Sequence, residues 1–262
     1  MSLTLDIGAT GMLAQQLNVD VISNNIANMT TTGFKRQRAE FQDLLYQTKL
    51  RPGSASSDAG NTVPAGIQLG MGVKAGSVYR INEQGALNIT ENSFDIAITG
   101  EGYFQVETPN GETAYTRDGS FQLNENGELV TSEGYRLEPG ITIPEDAVDI
   151  TINESGEVLV KLDGQIDLSN VGQIQTAIFS NVAGLDARGN NLFFETAASG
   201  AANVGTPASE GYGGIQQGAL EGSNVDVVQE ITNLISAQRA YEMNSKVIQT
   251  GDEMMSTITQ LR

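Results

Sequence analysis

Histidine, cysteine and tryptophan are absent from the 262 residues, and proline occurs only six times. The first two absences remove the side chains that supply most general bases, thiol nucleophiles and soft-metal ligands, so a serine triad, a thiol protease and a zinc centre are excluded. Without cysteine no disulfide forms, and the chain is indifferent to the redox state of its compartment. Positive charge is scarce as well. There are 14 Lys and Arg against 32 Asp and Glu, a formal net charge of −18, whereas nucleic acid and anionic membrane surfaces need clustered cations. Neither is expected as a partner. No run of about 18 apolar residues is present, so direct membrane insertion by a helix is not expected. The first residues carry Asp6 and no basic stretch, so a cleavable secretory signal is not expected, and work outside the cytoplasm would require a dedicated exporter.

Glycine, by contrast, is abundant, with 30 residues in the chain. Across the middle, apolar residues alternate with polar or small ones at Ile96 and Ile98, Phe104 and Val106, Phe121 and Leu123, Ile150 and Ile152, and Val158, Val160 and Leu162. That period of two predicts strands. Turn dipeptides separate the runs at Asn110-Gly111, Asp118-Gly119, Asn126-Gly127, Ser155-Gly156 and Asp163-Gly164. LNENGEL at 123–129 and INESGEV at 152–158 look like the same hairpin written twice, but for a match of only two copies coincidence of common turn chemistry is the preferred reading.

The two ends follow a different period. Leu5, Met12, Val19 and Ile26 recur every seven residues, and so do Val227, Leu234, Tyr241, Ile248 and Met255, flanked by Ile231 and Ile235. Each stripe predicts a helix that buries one face, over about 3–28 and 224–261, the second capped by Ser223 or Asn224. Periodicity alone leaves open an ordinary two-helix hairpin packed on a globular body. Residues 51–65 and 197–214 lack apolar periodicity and read as loops or extended arms.

Enzyme chemistry finds little support. Glu145, Asp146 and Asp149 form a carboxylate cluster that reads as a solvated turn, with no calcium-loop spacing. Gly70, Gly72 and Gly76 do not match a phosphate loop. Arg117 and Asp118 read as hairpin-turn residues, and the cations Lys35, Arg36 and Arg38 as a solvated bend or one paired with an acidic neighbour. No cofactor or metal is expected.

Five longer words go further than periodicity. NNIAN at 24–28 followed by TTTGFKRQRAEFQDLLYQT, DIAITGEGYFQV at 95–106, AYTRDGSFQLNENGELVTSEGY at 114–135, GNNLFFET at 189–196, and SNVDVVQEITNLISAQRAYEMNSKVIQTGDEM at 223–254 resemble, in order, the shared segments of the flagellar rod and hook axial protein family. The resemblance implies an α+β fold. Long N- and C-terminal helices pair as a coiled coil around an inserted all-β, mostly antiparallel domain with extended connecting arms. It divides the chain into an N-terminal helix at 1–33, a connecting arm at 34–75, a β-rich outer domain at 76–190, a return arm at 191–222 and a C-terminal helix at 223–262. The family signature falls on Asn24, Asn25, Asn28, Gly33, Phe34, Gln238, Arg239, Tyr241 and Asn244. The polymerisation seam falls on Leu5, Met12, Val19, Ile26, Val227, Ile231, Leu234, Tyr241, Ile248 and Met255.

Length and the 46–66 stretch resemble the branch of the family that builds the distal rod, which implies a structural subunit rather than an enzyme. The implied partners are further copies of the chain, proximal rod proteins, the hook protein, the P-ring and L-ring bushing proteins and the flagellar type III export apparatus. The implied location is a basal-body rod spanning the periplasm. Another axial protein, proximal rod or hook, is the nearest alternative, and a secreted β-rich adhesin a more distant one. Residues 51–65 are expected to reach a neighbouring subunit and stiffen the shaft.

Overall fold

The computed structural model of the chain describes residues 3–52, 65–164 and 167–260. These form an α+β fold of two terminal helices and a mostly antiparallel β middle, divided into two compact units. The stretch expected to stiffen the shaft lies, for residues 53–64, outside the described residues.

The first unit gathers Met1–Ala27, Gln37–Tyr79 and Asp226–Arg262. Helix α1 runs over Leu3–Ala27 and helix α2 over Val227–Gln260. The Cβ that Gly8 lacks would fall 2.8 Å from Ile248, that of Gly11 2.8 Å from Asn244 and that of Gly251 3.3 Å from Leu5, while Asn25 hydrogen-bonds Glu230. The residue numbers of each facing pair add to 255 or 256, so α1 and α2 run antiparallel in one constant register. With 34 residues against 25, and a rise of about 1.5 Å per residue, α2 outruns α1 at its C-terminal end. Asp226 starts α2: its Oδ1 accepts from the Val228 and Gln229 N–H groups at 2.9 and 3.1 Å. Neither Ser223 nor Asn224 is the cap, because Asp immediately precedes the first helical residue and supplies the acceptor the free N–H groups need. Strands β1 (Gln37–Asp43), β2 (Tyr46–Leu50), β3 (Ile67–Gly70) and β4 (Val73–Arg80) follow α1 in the chain. β1 pairs with β4, and β2 pairs with β3 in a two-stranded ribbon.

The second unit gathers Asn28–Arg36 and Arg80–Val225. Its strands are β5 (Leu87–Ile89), β6 (Ile96–Thr99), β7 (Tyr103–Glu107), β8 (Thr113–Thr116), β9 (Phe121–Leu123), β10 (Leu129–Thr131), β11 (Arg136–Leu137), β12 (Ala147–Ile152), β13 (Glu157–Leu162), β14 (Ser169–Gln173), β15 (Thr176–Ile178), β16 (Asp186–Gly189), β17 (Leu192–Phe194), β18 (Asn203–Gly205), β19 (Gly214–Gln217) and β20 (Ala219–Glu221). The largest sheet runs β16-β17-β8-β7-β11-β10-β9, with β15 joining β7 and β18 joining β15. β12, β13 and β14 form a three-stranded sheet, and β19 pairs β6 as β20 pairs β5. Thus the Gly- and Ala-rich 197–214 stretch contributes one short strand, β18, against β15.

Period-two alternation divides β7 and β8 between two cores. Phe104, Val106 and Ala114 enter the main core with Ile96, Phe121 and Val158, whereas Tyr103 and Tyr115 point the other way into an aromatic cluster with Phe179 and Leu185. Tyr115 and Phe179 meet edge to face at 4.7 Å between centroids.

The repeated hairpin word folds the same way twice. Asn124 Oδ1 accepts from Glu128 N at 2.8 Å and its Nδ2 donates to the Glu128 carboxylate at 2.9 Å; Asn153 and Glu157 repeat both bonds at 2.9 and 2.8 Å. Each turn then presents a glycine carbonyl, Gly127 or Gly156, to the N–H of an isoleucine, Ile143 or Ile174. The shared words therefore encode one structural unit and not only similar turn composition. Asn124→Ala and Asn153→Ala are each expected to cost about 1–2 kcal/mol, since each strands a turn N–H and loosens a carboxylate. Urea unfolding of the two variants checks this, and both should shift by similar amounts.

Candidate assembly surface

In α1 the buried residues are Gly8, Ala14, Val21, Ile22 and Asn25, and in α2 they are Glu230, Ala237 and Gly251. The line along which the helices touch is therefore made largely of small and polar residues. Gly8 and Gly11 open notches that receive Ile248 and Asn244, and Gly251 opens one beside Leu5. Glycine and alanine permit this close approach; Val21, Ile22 and Ile248 are the larger apolar side chains that pack with them, while several others stay half-buried or exposed.

Among the expected seam residues, Leu5, Met12, Val19, Ile26, Val227, Leu234 and Ile248 are half-buried, and Ile231, Tyr241 and Met255 are exposed. Further out, Val228 is 76% exposed, Met243 70% and Leu13 67%. The β2–β3 ribbon adds exposed Tyr46, Ile67 and Leu69, next to Leu45 at 83%. These exposed apolar side chains, on both helices and on the ribbon, make this unit the candidate interaction surface.

The signature residues divide by role. Asn25 is buried; its Oδ1 accepts from Gln37 N and its Nδ2 donates to Gln37 O, both at 2.8 Å, and Nδ2 also reaches Glu230 Oε2 at 3.3 Å. Asn244 sits in the Gly11 notch. Asn28 accepts from the Thr31 hydroxyl at 3.2 Å. Asn24, Gln238, Arg239 and Tyr241 are exposed and Phe34 is half-buried.

Gly33 belongs to the second unit, where it borders a buried ionic node. Its φ of +66° is one that L side chains resist, and an added Cβ would lie 2.8 Å from the Arg117 backbone carbon. The Gly33 N–H donates to the Glu221 carbonyl at 2.8 Å. The Glu221 side chain, 1% exposed, accepts from Lys35 Nζ and from the Gly85 N–H, and its Oε2 lies 3.1 Å from Arg117 Nε. That last contact is electrostatic rather than a well-aligned hydrogen bond. The remaining Arg117 donors reach the Gly102 and Gly100 carbonyls at 2.9 and 2.7 Å, and Lys35 also donates to the Glu83 carbonyl at 2.8 Å. Asn224 completes the frame, accepting from Arg36 N at 2.7 Å and donating to the Ile81 and Glu83 carbonyls.

Burial lowers the Lys35 pKa, the hydrogen bond and attraction of Glu221 oppose that, and Arg117 adds to the lowering. Burial likewise pushes the Tyr103 phenol up to about 12. The ring beside Arg117 thus brings no charge to the node at neutral pH.

One expectation changes here. Arg117 does not sit in a hairpin turn, because β8 and β9 on either side of it pair with other strands, and its buried guanidinium fills the space between Glu221 and two strand-end carbonyls. The cations near the bend do pair with acidic side chains, Lys35 with Glu221 where both are buried and Arg36 with Glu83 at 3.4 Å near the surface. Sequence reasoning missed Glu221 altogether, since its partners lie far away in the chain. Glu145, Asp146 and Asp149 are exposed, and no metal-binding group of carboxylates occurs among the described residues.

Three family models match the chain. They are a flagella basal body rod protein model over residues 5–35, a flagellar hook protein FlgE/F/G D1 domain model over 97–160, and a flagellar basal body rod FlgEFG protein C-terminal model over 216–261. The chain is similar to the flagellar basal-body rod protein FlgG of Caulobacter vibrioides, 62% identical over 258 residues that make up 98% of each chain. It is 52% identical to that of Agrobacterium fabrum, again over 98% of each, and 40% identical to that of Bacillus subtilis over 97% of each. With relatives this similar from end to end, and matches at the N-terminal helix, the β middle and the C-terminal helix, the chain belongs to the flagellar basal-body rod protein family.

Proposed function

We propose that the chain is a structural subunit, not an enzyme, that polymerises into the distal rod of the bacterial flagellar basal body and transmits motor torque to the hook. The observation that carries this reading is the outward apolar surface of the helix pair: Leu13, Val228 and Met243 stay exposed in a lone chain although they sit on long helices. Fully burying such a side chain contributes about 1.5–3 kcal/mol, and neighbouring copies provide the place to do so.

In the assembled rod, α1 and α2 supercoil as a coiled coil and line an inner tube. Residues 76–190 face the P-ring and L-ring bushing. The seam of Leu5, Met12, Val19, Ile26, Val227, Ile231, Leu234, Tyr241, Ile248 and Met255 is shared between copies. Proximal rod proteins and the hook protein flank the polymer, which spans the periplasm and grows from subunits passed through the type III export apparatus. Similarity to rod proteins over almost the whole length does not favour a hook protein or an adhesin. Electron microscopy of the purified chain under assembly conditions tests the reading. Straight tubes of uniform width are expected, and a monomer at every concentration would contradict it.

A further inference from the structure

A repeating apolar stripe is a poor guide to register, because sliding one helix past the other by seven residues returns a similar stripe to the contact. Terminal helices destined for a polymer are especially exposed to this ambiguity. The contact line between α1 and α2 nevertheless has two features that do not survive a slip.

The first is polar. Glu230 is 5% exposed, and its carboxylate receives a hydrogen bond from Asn25. Asn25 is held in place by its two bonds to the Gln37 backbone, so it cannot follow Glu230 to another position. Sliding by seven in one direction moves Asn25 opposite Ala237; sliding in the other moves it past the start of α2 at Val227. Either way the bond is lost, and a buried polar side chain left without its partner is strongly disfavoured.

The second feature is size. In the observed register Asn244 fills the notch at Gly11, where a Cβ would meet its amide nitrogen at 2.8 Å. By the same count Asn18 faces Ala237 and Thr4 faces Gly251, each a larger residue opposite a smaller one. A slip that brings Asn244 opposite Asn18 crowds two amides, and one that brings Gly11 opposite Gly251 or Ala237 leaves a void.

We propose that Asn25 with Glu230, and Asn244 with Gly11, are the specificity-determining pairs that make α1 engage α2 of its own chain in a single register. This goes beyond the assembly reading and does not depend on it, because register is read within one chain whether or not that chain polymerises.

The absence of cysteine makes the test direct. In the full chain, Gln15→Cys with Tyr241→Cys reports the observed register, while Gln15→Cys with Ile248→Cys or with Leu234→Cys reports a slip of seven in either direction. Intrachain and interchain disulfides are separated on non-reducing gels. In the parent background only the first pair is expected to link efficiently within one chain. In an Asn25→Leu/Glu230→Leu background, which exchanges the polar pair for apolar residues of similar volume, the slipped links are expected to rise about tenfold relative to the first, as the loss of about 1.4 kcal/mol of discrimination requires. Slipped links unchanged from the parent overturn the proposal, as do first-pair links that form between chains instead of within one. Should the leucine variant form no links, the size exchange decides. Gly11→Asn and Asn244→Gly alone are expected to weaken the first link, and the double exchange to restore it to within about twofold. Single variants that match the parent would also overturn the proposal.

Discussion

Chains carrying Val228→Asp or Met243→Asp are expected to remain monomeric at concentrations where the parent assembles. Both side chains are largely exposed in the lone subunit, so a carboxylate there is solvated and costs the fold little. Within a polymer the same carboxylate replaces a buried apolar side chain, losing about 1.5–3 kcal/mol of burial, and must also shed water without a counter-charge. A combined loss of at least about 3 kcal/mol per contact raises the concentration needed for assembly by roughly two orders of magnitude. Sedimentation across a dilution series measures the shift, with Met243→Leu as the control that keeps it near the parent. Assembly of the aspartate chains at parental concentrations would remove the helix pair's outward face from the interface. Because neither residue belongs to the β unit, its circular dichroism and unfolding transition should be unchanged in both variants.

The second large effect is expected at Glu221. Lys35 and Arg117 are buried with a single carboxylate between them, so Glu221→Gln leaves two cations in a site of low polarity with no anion to balance them. Breaking a buried ion pair from one side typically costs about 3–5 kcal/mol. The Lys35 pKa, already lowered by burial, should fall further once the opposing influence of Glu221 is gone. The exposed pair of Arg36 and Glu83 provides the contrast. Glu83→Gln is expected to change stability by less than about 1 kcal/mol, since Lys35 and Asn224 use the Glu83 backbone carbonyl and not its side chain. Thermal or urea unfolding of the two variants separates the cases; equal losses would mean that the node is not the tie the geometry describes.

Local pattern carried much of the fold. Alternation at Ile96 and Ile98 or at Val158 and Val160 marks strands because each such residue points to the same side of a sheet, and those four are fully buried. The heptads at the two ends likewise mark helices. Which face each helix turns toward its partner was much less legible. Large apolar residues ordinarily mark the buried side, yet here only Val21 and Ile22 among those of the described helices are buried, and Gly8, Gly11, Ala14, Ala237 and Gly251 share the contact because their small size lets the backbones approach. Glycine and alanine weigh little in any hydrophobic pattern, so that stripe is hidden beside Leu5, Val19, Leu234 and Tyr241. The cap of α2 lies two or three residues beyond the expected Asn224 or Ser223 for a related reason: Ser223, Asn224 and Asp226 are all good caps, and only the helix start at Val227 selects among them. The node was hidden by distance in sequence. Lys35 and Glu221 are 186 positions apart, and no local period links a lysine after a glycine turn to a glutamate at the end of a short strand. The signature glycine at residue 33 was legible as a turn, whereas its closeness to Arg117 was not.

The two helices are expected to bury their apolar surface fully only among copies of the same chain. Ordering a residue costs about 1–2 kcal/mol of backbone entropy, and a contact line built on glycine, alanine and asparagine returns only part of that to a single subunit. Amide hydrogen exchange of the lone subunit and of the polymer, read over α1 and α2 with the β unit as internal reference, is the most direct measurement. Fast exchange of both helices in the subunit and strong protection after assembly is the predicted result. Helices protected as well as β7 and β13 in the isolated subunit, with no gain on assembly, would contradict it.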